Sequence, residues 1–396
     1  MLSDYRRIFS PAGSLPFSAA GFVSRVPLSM IGVGIVTMLS QFGGEYWLAG
    51  SVSATQALAA AAIGPQISRL VDRHGQHRVI LPAMAVTVAA ICVLVLCARY
   101  AAPDWTLYAA AAVAGCMPSM GALVRSRWAE IHRDSPRLLH TAYSLESVLD
   151  EVIYVVGPIL AITLSTGAWA GAGPLTAAVL LAVGVVLFAA QRRTEPPVRA
   201  EAQRSGGWAL RVPGLGLLVL TVTSVGASYG SVEVVTVAFA GAHHHKALAG
   251  VLLGVYALGS GLAGAVFGAV RPRGAITRQL LVSLCAMAVT AAPLLFAPGL
   301  AALAVMLLVA GMSLAPALII TMGLVSRQAP AARLTESITW IVSGLSVGVA
   351  LGYAVSGWVV DAAGASTGYA VPCVAAVLAA ATVALALPRL ARADTR

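Results

Sequence analysis

Long apolar stretches separated by short polar segments run along the whole chain. A helix that crosses the hydrocarbon core of a bilayer needs about 20 mostly apolar residues. Twelve stretches have about this length, so we predict an all-α, polytopic membrane protein with 12 transmembrane helices. The predicted spans lie near residues 18–40, 46–68, 79–98, 105–124, 140–164, 172–190, 213–240, 247–270, 279–297, 299–325, 334–360 and 369–388.

A polar stretch, QRRTEPPVRAEAQRSGG, follows the sixth predicted span. It is longer and more polar than the segments between the other spans. We therefore predict an N-terminal six-helix bundle over residues 1–190, a cytoplasmic linker over 191–212 and a C-terminal six-helix bundle over 213–396.

Short motifs recur in the two predicted halves in the same order. Arg-Val-Pro opens the first span at residues 25–27 and the seventh span at 211–213. Leu-Glu-Ser-Val at 145–148 corresponds to Thr-Glu-Ser-Ile at 335–338. This repetition indicates that the two bundles are pseudo-symmetric.

The basic residues predict the orientation. Lys and Arg accumulate on the cytoplasmic side of membrane proteins. If both termini are cytoplasmic, every basic residue except Arg99 and Lys246 falls on the cytoplasmic side. We therefore expect a multi-pass protein of the cell (plasma) membrane.

Composition supports the membrane prediction and excludes one class of partner. Hydrophobic residues form 59% of the chain and charged residues 10%, compared with about 25% charged in soluble domains. The net charge of +10 does not indicate nucleic-acid binding, because the basic residues are scattered between apolar runs.

The segment SRLVDRHGQHR, residues 68–78, follows the second predicted span. It resembles the loop signature of the major facilitator superfamily, G-x-L-A-D-R-x-G-R-R, with Asp72, Arg73, Gly75 and Arg78 matching. The resemblance implies a twelve-span transporter of the drug or small-molecule efflux type. It also implies that this loop holds the two halves together in the outward-open state; the alternative is that the loop is only a cytoplasmic anchor.

Two positions depart from the antiporters of that family. They often carry an Arg in the fourth span, shortly before a Gly, whereas this chain has Ala111 four residues before Gly115. The antiporter signature of the fifth span is only partly matched by Gly157-Pro158. Both departures weaken the prediction of drug-type antiport.

Three acidic residues lie inside the predicted fifth span: Glu146, Asp150 and Glu151. A carboxylate at the bilayer centre costs about 2.5–3.5 kcal/mol on insertion scales. Glu146 and Asp150 are one helical turn apart and share a face, whereas Glu151 is rotated by about 100° from Asp150. We predict that Asp150 and Glu151 carry a coupled proton. The alternative is a buried carboxylate that is paired with an arginine or with hydroxyls.

Other charged residues complete the predicted set. Glu146 aligns with Glu336 in the repeat, and we expect the two to close a cytoplasmic gate against Arg25 or Arg211. Arg25 is otherwise expected to be an anchor that extends towards the interface. Glu233 in the seventh span is a second candidate for protonation or for binding a cationic substrate. Its alternative is a hydrated residue near the outer mouth.

Aromatic, hydroxyl and amide side chains could line a substrate cavity, although each could equally serve helix packing. These candidates are Gln41, Tyr143, Tyr154, Ser228, Tyr229 and Trp340. The run His243–His245 falls in an outer loop, and we expect it to be solvated. We predict no metal and no cofactor, since the cysteines also lack metal-ligand spacing.

We therefore predict a secondary active transporter that couples proton entry to efflux of small organic molecules. A proton-linked uptake symporter for a nutrient is the alternative on the same scaffold. An intramembrane enzyme or a transport-dead sensor belongs to a different class and has no sequence support. The expected partners are a small-molecule substrate, protons and the lipid bilayer, and we expect a monomer. The ATP-binding signature G-x-x-x-x-G-K-[ST] does not occur.

Overall fold

A computed structural model describes residues 6–43, 45–197, 214–269, 275–328 and 334–394. Within these ranges the chain is helical and contains no β-strand. The helices are α1 Ser14–Gln41, α2 Tyr46–His74, α3 Gln76–Arg99, α4 Asp104–Ala114, α5 Met120–Ile131, α6 Pro136–Gly167, α7 Ala172–Ala190, α8 Leu215–Ala242, α9 Leu248–Ala269, α10 Ile276–Ala291, α11 Leu300–Gly311, α12 Leu314–Gln328, α13 Leu334–Ala363, α14 Ala365–Gly368 and α15 Ala370–Asp394.

Ten helical segments of the described residues are long and apolar enough to cross a membrane. The prediction of an all-α, multi-pass protein is therefore confirmed, whereas the count of 12 stays a prediction. The two remaining predicted spans correspond to α2 and to the pair α4–α5. Helix α2 carries polar residues such as Gln56 and Gln66. The pair α4–α5 is interrupted between Gly115 and Ser119, a segment that contains Pro118.

The chain forms two compact units. The first unit contains Met1–Met38 and Ala59–Gln203, and the second contains Leu39–Leu58 and Arg204–Arg396. The predicted domain division stays a prediction, and most of the predicted linker lies outside the described residues.

Backbone contacts explain why residues 39–58 belong to the second unit. The carboxylate of Asp361, in the last turn of α13, accepts hydrogen bonds from the backbone N–H groups of Tyr46 (3.1 Å) and Trp47 (2.6 Å). The absent side chain of Gly50 lets α2 approach α13 closely, since a Cβ there would lie 2.2 Å from the carbonyl oxygen of Tyr353.

The core of the first unit is built around Trp128, which is fully buried. Its ring packs against Phe17 at 4.7 Å between centroids and against Phe9 at 5.7 Å. Such aromatic pairs stabilise a core beyond the apolar area that they bury. Trp128 thereby fixes the position of α5 beside α1, which is where the charged side chains of this unit meet.

In the second unit, α8 and α13 touch through small residues. A Cβ at Gly226 would lie 2.3 Å from the carbonyl oxygen of Leu345, and one at Gly230 would lie 2.5 Å from that of Val349. Small residues of this kind allow close backbone contact between membrane helices. The close approach allows a side chain on α13 to reach the acidic residue of α8.

Candidate functional site

Helix α6 presents two different accessible faces. Tyr143, Asp150 and Tyr154 are spaced by seven and four residues and therefore share a face of the helix. Both tyrosines are 37% exposed, and the Asp150 side chain is 30% exposed. Val148 and Val152 form a separate exposed apolar face, about 120–180° around the helix from these three residues. Asp150 thus lies on the polar face of α6 and away from its apolar face.

Arg25 of α1 joins two of the predicted acidic residues. Its guanidinium donates one hydrogen bond to Glu146 and another, of 2.7 Å, to Asp150. Its Nε donates to the carbonyl oxygen of Gly21 at 3.1 Å. The prediction that Glu146 and Asp150 share a helix face is confirmed, because a single guanidinium binds both.

Arg25 and Glu146 are deeply buried, with side-chain exposures of 2% and 0%. Glu146 also accepts hydrogen bonds from the indole of Trp128 (2.7 Å) and from Ser18 (3.3 Å). Arg25 is therefore a buried ion-pair partner, and the expectation of an anchor that extends towards the interface is wrong. The reason is that α1, α5 and α6 together enclose its guanidinium. The predicted gate role of Arg25 and Glu146 stays untested.

Arg125 of α5 completes the group, and the sequence analysis missed it. It donates a hydrogen bond of 2.5 Å to Asp150, and its side chain is 38% exposed. The residue lies one position beyond the predicted fourth span and ten residues after Gly115, whereas the antiporter arginine precedes that glycine. Its nearness to that span was the available signal. We call Arg25, Arg125, Glu146 and Asp150 the arginine–acid network; its two positive and two negative charges cancel.

Glu151 is the exception among the three acidic residues of α6. It is half-buried and forms no hydrogen bond or ion pair with any residue that the structure describes. Its rotation away from Asp150 explains this, since neither arginine of the network lies on its side of the helix. Glu151 thus has no counter-charge among the described residues.

The second unit buries a carboxylate in a different environment. Glu233 of α8 is 5% exposed and accepts hydrogen bonds from the hydroxyls of Tyr229 (2.8 Å) and Tyr353. The ring of Tyr256 lies 6.2 Å from that of Tyr229, centroid to centroid. No described residue forms an ion pair with Glu233. The alternative of a hydrated residue at the outer mouth is wrong, because the packing of α8 against α13 encloses the side chain.

The cavity candidates separate into different roles. Tyr229 binds Glu233, and Tyr143 and Tyr154 lie on the polar face of α6. Ser228 is buried and donates to the carbonyl oxygen of Pro372 at 3.1 Å, so it serves helix packing. Gln41 and Trp340 are half-buried at the end of α1 and within α13.

Two predicted residues lie outside the part of the chain that can be described. These are Arg211 and the side chain of Glu336. The predicted pairing of the repeat's acidic residues, and the gate built on it, remain hypotheses.

The segment that was predicted to be a loop, residues 68–78, forms the last turns of α2, a turn at Gly75 and the start of α3, because the helix continues beyond the apolar part of the second span. Gly75 adopts a φ of 89°, a conformation that favours glycine and allows the tight turn into α3. Asp72, Arg73 and Arg78 are exposed and form no hydrogen bond or ion pair with any described residue. The predicted function of the loop in holding the two halves together is not tested by these contacts.

Two residues that depart from the motif form its contacts. Gln76 is buried, accepts a hydrogen bond of 2.7 Å from Arg127 and donates one of 2.9 Å to Ser126. The backbone and the ring of His77 both contact the carboxylate of Glu195. The start of α3 is thereby fixed to α5 and to the segment that follows α7.

The loop between α8 and α9 contains the one lysine of the chain. Lys246 donates a hydrogen bond of 2.7 Å to Ser40 and lies 5.7 Å from the ring centre of Tyr46. Partial burial lowers the pKa of Lys246 to about 8. The preceding histidines, His243–His245, are exposed, and no described group of three or more His, Cys, Asp and Glu could hold a metal ion.

Comparison with known families identifies the chain. Residues 17–242 match the family model of the Major Facilitator Superfamily. This match covers more than half of the chain, which belongs to this superfamily of membrane transporters. None of the curated protein sequences matches the chain.

Solved structures with the same fold are transporters of several kinds. A point mutant of the nucleoside transporter NupG superposes with a TM-score of 0.75 at 14% identity, over 95% of this chain and 99% of that one. A point mutant of the peptide transporter POT gives 0.74 at 13% identity, over 97% and 96%. A bacterial homologue of the iron transporter ferroportin, in an inward-facing state, gives 0.70 at 15%, over 97% and 99%. These likenesses establish the transporter fold.

Proposed function

We propose that this chain is a proton-coupled secondary active transporter that exports small organic molecules by alternating access. In this proposal Glu233, Asp150 and Glu151 are the carboxyl groups that exchange protons. The observation that carries the proposal is Glu233, which is buried between two membrane helices with tyrosine hydroxyls as its hydrogen-bond donors. We place the protein in the plasma membrane as a monomer with both termini in the cytoplasm.

Glu233 is suited to proton exchange because of what surrounds it. A buried carboxylate without a cation retains an uncompensated charge, which is costly in an apolar interior. Uptake of a proton removes this charge without breaking an ion pair. A neutral carboxyl can still accept a hydrogen bond from one tyrosine and donate one itself. Because Tyr229 belongs to α8 and Tyr353 to α13, the proton would change the contact between these two helices.

The arginine–acid network suits substrate coupling. A proton on Asp150 would remove the carboxylate that Arg125 binds, while the buried pair of Arg25 and Glu146 would remain. The accessible guanidinium of Arg125 could then bind an anionic group of a substrate, since arginine binds carboxylates and phosphates with paired hydrogen bonds. Glu151, which has no counter-charge among the described residues, supplies a second carboxyl for the proton on the same helix.

The substrate class in this proposal is broad. The similar structures are described as nucleoside, peptide and iron transporters, and their sequence identities to this chain are 13–15%. The polar face of α6 combines aromatic rings, a carboxylate and a nearby arginine, a mixture that suits a small organic molecule with both apolar and charged parts.

The test is transport into proteoliposomes with an imposed pH gradient. A panel of small organic compounds is screened with the wild type, Glu233→Gln and the double variant Asp150→Asn/Glu151→Gln. Asp104→Asn is the matched control, because Asp104 is an exposed carboxylate at the start of α4. We expect Glu233→Gln to abolish gradient-driven accumulation while exchange of labelled for unlabelled substrate continues. Asp104→Asn should transport like the wild type.

Two outcomes would contradict the proposal. Transport that ignores the pH gradient would exclude proton coupling. Gradient-driven transport that survives both Glu233→Gln and the double variant would exclude the proposed carboxyl groups. The direction of transport is tested separately in proteoliposomes that contain the protein in one orientation. Movement of substrate against the direction of proton flow supports export, and movement of substrate together with protons supports uptake symport.

A further inference from the structure

A groove of about 290 Å³ lies in the first unit at the C-terminal end of α3, opposite to the turn at Gly75. Its walls come from α3, from the start of α7 and from the turn between α6 and α7. The residues that line it are Cys92, Val95, Leu96, Arg99, Tyr100, Trp169 and Leu175. Cys92, Leu96 and Arg99 follow a spacing of four and three residues, so they form one face of α3.

The groove combines an apolar part with a charged end. Cys92 lies about 10 Å from Arg99 along the helix axis, since α-helices rise 1.5 Å per residue. The α3 segment is one of the ten candidate membrane spans, so this end of the helix is near a membrane surface. The groove therefore runs from a polar boundary, marked by Arg99, Tyr100 and Trp169, into the apolar layer.

Arg99 is available for a ligand. Its guanidinium carbon lies 5.7 Å from the ring centre of Trp169, and it forms no hydrogen bond or ion pair with a described residue. A basic residue in the last turn of a helix often binds the terminal carbonyl groups. Here the carbonyl oxygens of Leu96, Cys97 and Ala98 already accept backbone hydrogen bonds from the following residues. The guanidinium is thus left exposed over an aromatic ring.

Trp169 forms one wall because Gly171 has no side chain. A Cβ at Gly171 would lie 2.4 Å from the Trp169 ring and 2.7 Å from a methyl carbon of Val95. The backbone of Gly171 has an ordinary φ of −82°, so space is the constraint at this position. The glycine therefore lets the indole close against α3 beside the groove.

We propose that this groove binds one anionic phospholipid, with its phosphate on Arg99 and part of an acyl chain along Cys92, Val95 and Leu96. The charge of Arg99 complements the phosphate, and arginine forms paired hydrogen bonds with phosphate oxygens. Tyr and Trp are the residues that favour the headgroup level of a bilayer. The apolar part of the groove suits a hydrocarbon chain and does not suit inorganic phosphate. This site is independent of the proposed transport activity.

The test uses brominated lipids, which quench nearby tryptophan fluorescence. The full chain is reconstituted in phosphatidylcholine vesicles with a rising fraction of brominated phosphatidylglycerol or brominated phosphatidylcholine. The Trp169 signal is the difference between the wild type and Trp169→Phe. We expect half-maximal quenching at about fivefold less phosphatidylglycerol than phosphatidylcholine, since one arginine near an anionic lipid headgroup contributes about that factor.

Arg99→Gln should remove the preference for phosphatidylglycerol, whereas the control Arg133→Gln should keep it, because Arg133 is exposed at the other end of the unit. Native mass spectrometry provides a second readout. We expect one retained phosphatidylglycerol molecule in the wild type and none in Arg99→Gln or Gly171→Leu. Equal quenching by both lipids in the wild type, or selectivity that survives Arg99→Gln, would overturn the proposal. Displacement of the lipid by millimolar inorganic phosphate would overturn the assignment of the acyl chain to the groove.

Discussion

In the first unit, Glu146 and Asp150 accept hydrogen bonds from arginines, whereas in the second unit Glu233 accepts them from tyrosines. The first arrangement is electrically neutral when all of its members are ionised. The second contains a single acidic group and no cation among the described residues. The two sites lie on helices that are not equivalent in the predicted repeat, because α6 is the predicted fifth span and α8 the seventh.

The two acidic sites should therefore respond differently to the loss of a charge. Breaking a buried ion pair leaves one charge uncompensated and is strongly destabilising, so the buried pair of Arg25 and Glu146 resists change. A carboxyl that is held by neutral hydroxyls can change its charge without that loss. We therefore expect Arg25 and Glu146 to respond to mutation mainly in stability and Glu233 mainly in coupling.

The largest effect should come from Arg25→Met, which would leave the fully buried Glu146 without its cation. We expect the free energy of unfolding to fall by about 3–5 kcal/mol, measured as thermal unfolding in detergent. The double variant Arg25→Met/Glu146→Gln should recover much of the loss, because it removes both charges. A single variant as stable as the wild type would show that the pair is not a structural element.

A matched pair of Glu→Gln variants tests the comparison directly. Glu146→Gln weakens charged hydrogen bonds from Arg25 and should cost about 1.5–3 kcal/mol. Glu233→Gln removes a charge that has no cationic partner among the described residues and should cost less than about 1 kcal/mol. The comparison would fail if the two losses in thermal stability were equal or reversed.

The hydroxyl contact in the second unit can be isolated by a double-mutant cycle between Tyr353→Phe and Glu233→Gln. The two groups are in direct contact, and we expect a coupling energy of about 1 kcal/mol from unfolding measurements. Tyr229→Phe in place of Tyr353→Phe tests the second donor. A coupling energy near zero would mean that the tyrosines do not stabilise the carboxyl group.

Glu151→Gln should change thermal stability by less than about 0.5 kcal/mol, since no described residue binds this carboxylate. Its neighbour Asp150 binds two arginines, so Asp150→Asn should have the larger effect. A strongly destabilised Glu151→Gln would indicate that the residue has a partner after all and would weaken its assignment to proton exchange.

The smallest effect concerns Lys246, a cation of the second unit that binds hydroxyl and aromatic groups. With a pKa of about 8, Lys246 is a neutral amine in half of the molecules at pH 8, whereas an ordinary lysine is neutral in about 0.4% of them. An amine-reactive reagent should therefore label Lys246 with a rate that rises to a plateau just above pH 8. A rate that still rises steeply at pH 10 would contradict this.

The same pKa predicts the sign of a stability effect. Between about pH 8 and 10.5 the unfolded chain holds a proton on Lys246 that the folded chain has lost. Stability should therefore rise slightly with pH across this window. Lys246→Met should abolish this rise while leaving the response of transport to the pH gradient intact.

Parts of the candidate site were predictable from local spacing. Glu146 and Asp150 are four residues apart, and helical periodicity predicts their shared face. A glycine at position 75 also permits a tight turn, because glycine tolerates positive φ, and its φ of 89° agrees. These predictions succeed because they depend on residues that are close in sequence.

Other parts depended on residues far apart in sequence. Arg25 and Asp150 are 125 residues apart, and Glu233 and Tyr353 are 120 apart. The missed Arg125 lies beyond the predicted end of a span, where an arginine would ordinarily be assigned to the cytoplasmic surface. Gln76 counts as a mismatch in the loop motif, and only the packing of α5 against the start of α3 shows that it binds Arg127.

The sequence alone determined that the chain is all-α and membrane-spanning, which superfamily it resembles, and where along the chain the acidic residues lie. Hydropathy, periodicity and short motifs are local properties, so they can be obtained without coordinates. The tertiary structure decided which cation or hydroxyl each acidic residue binds, because that depends on which helices pack side by side. The tertiary structure also decided that the side chains of Arg25 and Glu233 are buried. Their burial depends on neighbouring helices, and the local sequence around each residue does not specify which helices those are.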